Sequence, residues 1–337
     1  MIQLESATGF GISLLPYGAS WTSCRVPMGD GCVREVLLGC KTGDDYRCQT
    51  SYLGATIGRF ANRLKNGRFS INRVDYPLER NDGEHCLHGG HSGFAKREWS
   101  IEELGTNRAR FSIVSAAGDA GFPGQMTAET TYSIDGHDSS VTIEYLAAVD
   151  RPCPVSLTNH AYFNLNGDGI DCRGHVLQLA SERFLPIDAQ GIPVGEIRSV
   201  AGTAFDFRRQ AKLHMAPASE PQLRLNKGYN HAFILDDSCH SMERSAAELF
   251  SADGSLAMSL YTSLPALHLY TGNYLSGTPS RGEAPYPDYA GIALEAEYLP
   301  DSPNHPEWPS ANPVLYPGSI YRHCIRLRFS LRQDAAR

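Results

Sequence analysis

Tyr321-Arg322-His323-Cys324-Ile325-Arg326-Leu327-Arg328-Phe329 sets Ile325, Leu327 and Phe329 against Arg326 and Arg328. Apolar residues recur at every second position, the period of a strand with one buried face and not the 3.6-residue period of a helix. The same alternation appears upstream, in Val141 to Leu146 and in Leu256 to Tyr261. Between such runs lie turn-forming clusters, among them Asn81-Asp82-Gly83, Gly121-Phe122-Pro123-Gly124 and Asn166-Gly167-Asp168-Gly169. These punctuate the chain as hairpin and sandwich loops do. With 32 glycines and 20 prolines, long helices have little room; the best short candidate is Ser219 to Leu225, which contains a proline. There is no βαβ rhythm, phosphate loop, dinucleotide glycine fingerprint or low-complexity linker. The pattern predicts an all-β fold, a large antiparallel β-sandwich with few short helices, and nothing marks a boundary that would divide residues 1–337 into more than a single domain.

The chain carries 30 Lys and Arg against 37 Asp and Glu, a formal charge of -7. Such a field repels a phosphate backbone, so nucleic acid is not an expected partner. The N-terminus MIQLESATGF lacks a basic and then apolar leader, and no stretch approaches the roughly 18 apolar residues of a membrane span. The expectation is a cytoplasmic protein with no membrane partner, a monomer or weak homodimer. Nine cysteines, an odd number with no CxxC pair, read as small buried hydrophobes in a reducing compartment rather than as a disulfide framework.

Polar residues that are costly to bury stand beside apolar or turn-rich sequence in four places. They are Arg59 to Arg63, His85 to Gly90, Thr158 to Asn164, and Leu294 to Glu297 followed by Pro300 to Pro306. Buried groups of this kind are paired in a network or belong to a site. The glycines after His88 permit close backbone approach, as in a ligand cleft, although a turn histidine bonded within its own loop has the same pattern. His160 is flanked by Asn159 and Tyr162, suited to orient an imidazole, the side chain whose ordinary pKa lies near neutrality as a general acid needs, with a satisfied core histidine as the competing reading. Strand alternation puts Glu295 on the face of Ala293 and opposite to Leu294. If that face is internal, desolvation raises its carboxyl toward the range of a useful base; if external, it is an ordinary solvated glutamate. His85, His88 and His91 recur every third residue, but Gly89 and Gly90 oppose a helix and a strand would not aim all three one way. With no HExxH pattern and no zinc-like Cys/His spacing, no metal is expected.

Taken together, these segments resemble the aldose 1-epimerase (galactose mutarotase) family along nearly the whole chain. The signals are Gly58-Arg59-Phe60-Ala61-Asn62-Arg63; Leu87-His88-Gly89-Gly90 with Gly93-Phe94; Gly121-Phe122-Pro123-Gly124; Thr158-Asn159-His160 through Asn164-Leu165; Tyr270-Thr271-Gly272-Asn273; and Leu294-Glu295 leading to Pro300-Asp301 with Asn304. Glu297 to Pro309 is similar to the enterobacterial-type enzymes in particular. The resemblance implies a β-sandwich of the galactose mutarotase type whose open groove holds a small-molecule aldose, with no cofactor and no essential metal. By motif it places the general acid at His160, the general base at Glu295, and substrate-binding residues at Asn62, Arg63 and His88. The implied activity is interconversion of α and β anomers of an aldohexose, galactose or glucose, by ring opening and reclosure.

Three positions depart from the family pattern. The usual Gly-Tyr-Asp-His motif reads Gly228-Tyr229-Asn230-His231 here, so position 230 keeps a carbonyl acceptor, gains a donor and loses its charge. His268 replaces a common glutamine and His85 a common asparagine. Asn230 and His268 are therefore expected to contact substrate with altered specificity. Two other readings compete: a non-catalytic sugar-binding or regulatory β-sandwich protein, and a metal-assisted enzyme built on His85, His88 and His91.

Overall fold

The computed structural model of the 337-residue chain describes residues 1–29, 31–167, 171–213, 220–309 and 312–332. Among them strands dominate, and the two α-helices are single turns, Gly43–Cys48 and Pro221–Leu225. Gly43–Cys48 begins with a reciprocal capping box between Thr42 and Asp45, which satisfies donors that a helix start leaves orphaned. Pro221–Leu225 occupies most of the expected Ser219–Leu225 helix, with Glu220 capping Gln222 N–H; Ser219 itself lies outside the described residues. Of the loop Asn166 to Gly169, positions 168 and 169 likewise lie outside them.

The three alternating runs all form strands and are neighbours. Tyr321–Leu331 lies between Ser140–Val149 and Leu256–Thr262 inside a nine-stranded sheet, pairing Ile325 with Ile143 on one side and Leu327 with Leu260 on the other. Ile325, Leu327 and Phe329 are buried while Arg322 and Arg328 are exposed, as the period of two demands. Burying each such side chain is worth about 1.5–3 kcal/mol, and a one-residue slip would exchange the faces.

A six-stranded sheet runs in the order Tyr162–Phe163, Ile292–Glu297, Ala266–Tyr270, Asn230–Leu235, Ser181–Phe184, Arg198–Ser199. Its pairings are antiparallel. Leu294, Ala296, Leu267, Leu269 and Phe233 from one of its faces join Ile143, Tyr145, Leu260 and Leu327 of the nine-stranded sheet in one hydrophobic cluster. The two sheets therefore pack face to face, which makes the predicted sandwich.

The other face of the six-stranded sheet is where polar residues align. Directly opposed residues in antiparallel strands share a face, so register alone sets out rows. One row reads Tyr162, Ala293, Tyr270, Asn230, and the next contains Glu295 opposite His268. His160, two residues before Tyr162, continues the Glu295 row. Glu297 follows on the same face, opposite Ala266.

Candidate functional site

These rows floor a groove of about 220 Å³ lined by Thr50, Ser51, Tyr52, Asn62, Arg63, Leu87, His88, His160, Tyr162, Asn226, Asn230, His268, Tyr270, Tyr274 and Glu295. All seven residues singled out from the sequence as catalytic or substrate-binding therefore face one cavity. The carboxylate of Glu295 is on the internal face of its strand, and both it and His160 are buried, at 1% and 4% exposure.

His160 is held by its backbone, donating to Ala55 and accepting from Gly54, both at 2.9 Å. Its ring lies between Tyr52 and Tyr162, with centroids at 5.9 and 4.9 Å. Its Nε2 is 3.6 Å from Glu295 Oε1, and among the described residues neither His160 Nδ1 nor Glu295 Oε2 has a hydrogen-bond partner. Burial lowers the His160 imidazole to about 4 and raises the Glu295 carboxyl to about 8, the positive Arg63 opposing that rise. Burial thus outweighs the attraction available across 3.6 Å. Both shifts favour the uncharged pair at neutral pH, with its one proton held on Glu295 rather than on the histidine. The acid and base roles require a protonated imidazole beside an ionised carboxylate; that state has the same proton count and differs by one transfer between the two side chains.

His88 comes to the groove through a tight loop. Its φ is +53° and Gly89 follows at +85°; a Cβ on Gly89 would stand 2.1 Å from the Gly58 carbonyl oxygen, so no larger residue fits. The His88 backbone N–H donates to Asn62 O at 3.0 Å, and the Asn62 backbone N–H returns a bond to His88 Nδ1 at 3.1 Å. Because Nδ1 accepts, the neutral ring carries its proton on Nε2. Burial, assisted by His160, keeps this imidazole well below its usual pKa. His88 is accordingly a fixed donor.

Arg63 pairs with Leu87 in a short ladder and its Nε donates to Asp82 at 2.8 Å. Its guanidinium thereby keeps a fixed orientation at the groove wall. Asn62 is in the left-handed region at φ +63°; its Oδ1 accepts from Arg63 N and its Nδ2 donates to Glu297. The two family departures in the groove meet each other: His268 Nε2 lies 2.8 Å from Asn230 Oδ1, while Asn230 Nδ2 donates to Asn226 Oδ1 at 3.1 Å. Since an amide oxygen only accepts, His268 also carries its proton on Nε2; burial holds it well below its ordinary pKa.

The third departure lies elsewhere. His85 is buried behind the groove wall, with Nδ1 accepting from Asn66 N at 3.0 Å and Nε2 at 3.1 Å from Gln190, and His91 is exposed. The histidine trio at every third residue is thus not brought together. Among the described residues the set spaced for a metal is instead His88, His160 and Glu295, whose ligand atoms lie within 4.8 Å of one another. Two imidazoles and a carboxylate are a zinc-type donor set. The Asn62 N–H, however, occupies Nδ1 of His88 and leaves a proton on Nε2, so this ring offers no free lone pair unless the loop rearranges.

Sequence reasoning did not assign the groove's aromatic lining. Tyr162 and Tyr270 lay inside quoted motifs, but Tyr52 and Tyr274 gave no local signal; Tyr52 has a backbone φ of +57°. Nor did it assign Asp82 as the partner of Arg63, or Glu297 as the partner of Asn62.

Comparison with known proteins follows the same lines. A family model described as Aldose 1-epimerase matches residues 1–328. Aldose 1-epimerase of Escherichia coli (strain K12) is 44% identical, the alignment covering 98% of this chain and 94% of that one. Aldose 1-epimerase of Haemophilus influenzae is 43% identical, over 98% and 95%. The crystal structure of the GalM/aldose epimerase homologue from C. elegans superposes with a TM-score of 0.90 at 29% identity, covering 98% of this chain and 99% of that one.

Proposed function

Because the chain belongs to the aldose 1-epimerase family, we propose that it interconverts the α and β anomers of an aldohexose, galactose or glucose, with Glu295 and His160 as the base and acid. The observation that carries this reading is the facing of His160 Nε2 and Glu295 Oε1 at 3.6 Å on the floor of the groove. Its 220 Å³ is below the roughly 300–1,000 Å³ of pockets that take drug-sized ligands and suits a single monosaccharide.

Anomer exchange requires a proton to leave the C1 hydroxyl while another reaches the ring oxygen. Proton transfer between the paired groups generates the ionised Glu295 and protonated His160. Glu295 then takes the hydroxyl proton, His160 delivers its own to the ring oxygen, and the C1 to ring-oxygen bond breaks to give the open aldehyde. Rotation about C1 to C2 and reclosure from the other side, with the protons returned, complete the exchange. No electron is transferred to or from the sugar. Two positioned groups whose pKa values bracket neutrality suffice for such chemistry.

The remaining side chains bind and orient. His88 Nε2–H is a pre-aimed donor for charge developing on the ring oxygen. Arg63 and Asn230 meet sugar hydroxyls, and the tyrosines supply flat surface for the less polar sugar face. Similar identities to the E. coli and H. influenzae proteins support a bacterial-type enzyme, broader than an enterobacterial one. Polarimetry of freshly dissolved α-D-galactose and α-D-glucose, corrected for spontaneous relaxation, tests the activity directly.

A further inference from the structure

Glu297 is the buried ionisable group that the acid and base chemistry leaves unused. It is fully buried, lies on the same strand face as Glu295 and does not line the groove. Its Oε1 accepts from Asn62 Nδ2 at 3.1 Å and lies 3.9 Å from His268 Nδ1. Among the described residues, its Oε2 and His268 Nδ1 have no hydrogen-bond partner. From this geometry we propose that Glu297 is a positioning residue that fixes Asn62 and His268 from beneath the groove, and through them the tautomer of His88 and the orientation of Asn230. The assignment rests on the mutarotase reading of the site above.

On one side the path is a series of hydrogen bonds. Glu297 holds the Asn62 side chain, whose Oδ1 takes the Arg63 N–H, and the Asn62 backbone N–H occupies His88 Nδ1. Loss of the anchor frees the left-handed Asn62 to relax, and with it the group that keeps the His88 proton on Nε2. On the other side, His268 must present a bare lone pair at Nδ1, because its Nε2–H is committed to Asn230. A bare lone pair buried opposite a carboxyl calls for a protonated acid.

Glu297 meets that requirement. The groups near it are Glu295 on its own strand, Asn62 and Arg63 from the neighbouring wall, His268 on the adjacent strand and Tyr321 from the opposite sheet. Burial first, and then the second carboxyl at Glu295, push the Glu297 carboxyl well above its usual range. Two adjoining buried carboxyls do not both ionise. A neutral acid offers one acceptor, which takes the Asn62 Nδ2–H at 3.1 Å, and one donor that complements the bare lone pair of His268 Nδ1, 3.9 Å from Oε1 and beyond direct hydrogen-bond distance.

Glutamine offers the same pair of functions without a titrating proton, so it separates positioning from charge. Glu297→Gln is expected to keep kcat/KM within about threefold of wild type, whereas Glu297→Leu loses roughly tenfold or more, the scale of one to two hydrogen bonds, chiefly through KM. Imidazole ¹⁵N spectra, with the His88 signal assigned by its absence in His88→Asn, should show the Nε2–H form in wild type and Glu297→Gln and a tautomer mixture in Glu297→Leu. The spectra stand even if the wild type proves inactive, which would overturn the mutarotase reading alone. Wild-type behaviour of Glu297→Leu in rate and spectrum overturns positioning, as does a Glu297→Gln loss equal to that of Glu297→Leu. Should Glu297→Leu not fold, the pH profile of Glu297→Gln decides. An unmoved alkaline limit is expected; a downward shift would mean that Glu297 is charged and had been raising Glu295, and would overturn the assignment.

Discussion

His268 stands directly across the sheet from Glu295, yet its Nε2 is turned to Asn230, 2.8 Å away. The two residues that depart from the family pattern in the groove are therefore one hydrogen-bonded unit. Asn230→Asp would place a carboxylate against that imidazole. The pKa of His268 should rise from its depressed value, because the new charge favours the protonated ring, and the acceptor presented to the sugar becomes charged. We predict a change of several-fold in the ratio of kcat/KM for galactose over glucose, about 1 kcal/mol of discrimination; an unchanged ratio would remove Asn230 as a specificity determinant.

The pH dependence follows from the one-proton pair. As pH falls through about 4, His160 gains a second proton for the pair, and the base is lost. As pH rises through about 8, Glu295 loses the only proton, and the acid is lost. The profile of kcat/KM for the free enzyme should be bell-shaped, with limbs near these values and a plateau between them. A rate that climbs steadily above pH 8 would contradict the shared proton.

His88 should behave as a hydrogen-bond donor and not as a metal ligand. His88→Ala removes a donor aimed at the ring oxygen and is expected to lower kcat by about 10²-fold or more. Exhaustive chelation should leave wild-type activity unchanged. Activity lost to a chelator and restored by one particular ion would reverse this assignment.

Gly89 holds the His88 loop against the Gly58 carbonyl. Gly89→Ala introduces a Cβ where 2.1 Å separates it from that oxygen, at a φ of +85°. Strain of this kind costs about 1–3 kcal/mol before any clash is relieved. Calorimetry should show a lower Tm, and kcat should fall further than Tm alone accounts for, since His88 moves with the loop.

Much of the sandwich was legible because its strands obey a local rule. Ile325, Leu327 and Phe329 declare their buried face within nine residues, and the turn clusters declare where strands end. Which strands are neighbours is a matter of register between distant segments: Tyr321–Leu331 pairs with residues some 70 and 180 positions earlier, and no local pattern encodes that. The candidate site divides similarly. Motifs named His160, Glu295, His88, Asn62 and Arg63, and alternation put Glu295 beside Ala293. The period of three in His85, His88 and His91 gathers no common face, as Gly89 and Gly90 indicated, because a loop with positive φ at His88, Gly89 and Gly90 has no periodic face. Tyr52, Asp82 and Glu297 reach their partners only through the folded chain.

The central claim is that His160 and Glu295 exchange protons with the sugar, and anomer relaxation in their variants tests it most directly. Polarimetric progress curves from fresh α-D-galactose should be accelerated by wild type, while sugar binding persists in Glu295→Gln and His160→Asn. Each variant should lose about 10²–10⁴-fold in kcat, roughly 3 to 5 kcal/mol of barrier. The losses need not add in the double variant, since one crippled transfer already limits ring opening. Wild-type relaxation at the spontaneous rate despite bound sugar would contradict the enzyme itself, and nearly full activity in both variants would contradict the assigned acid and base.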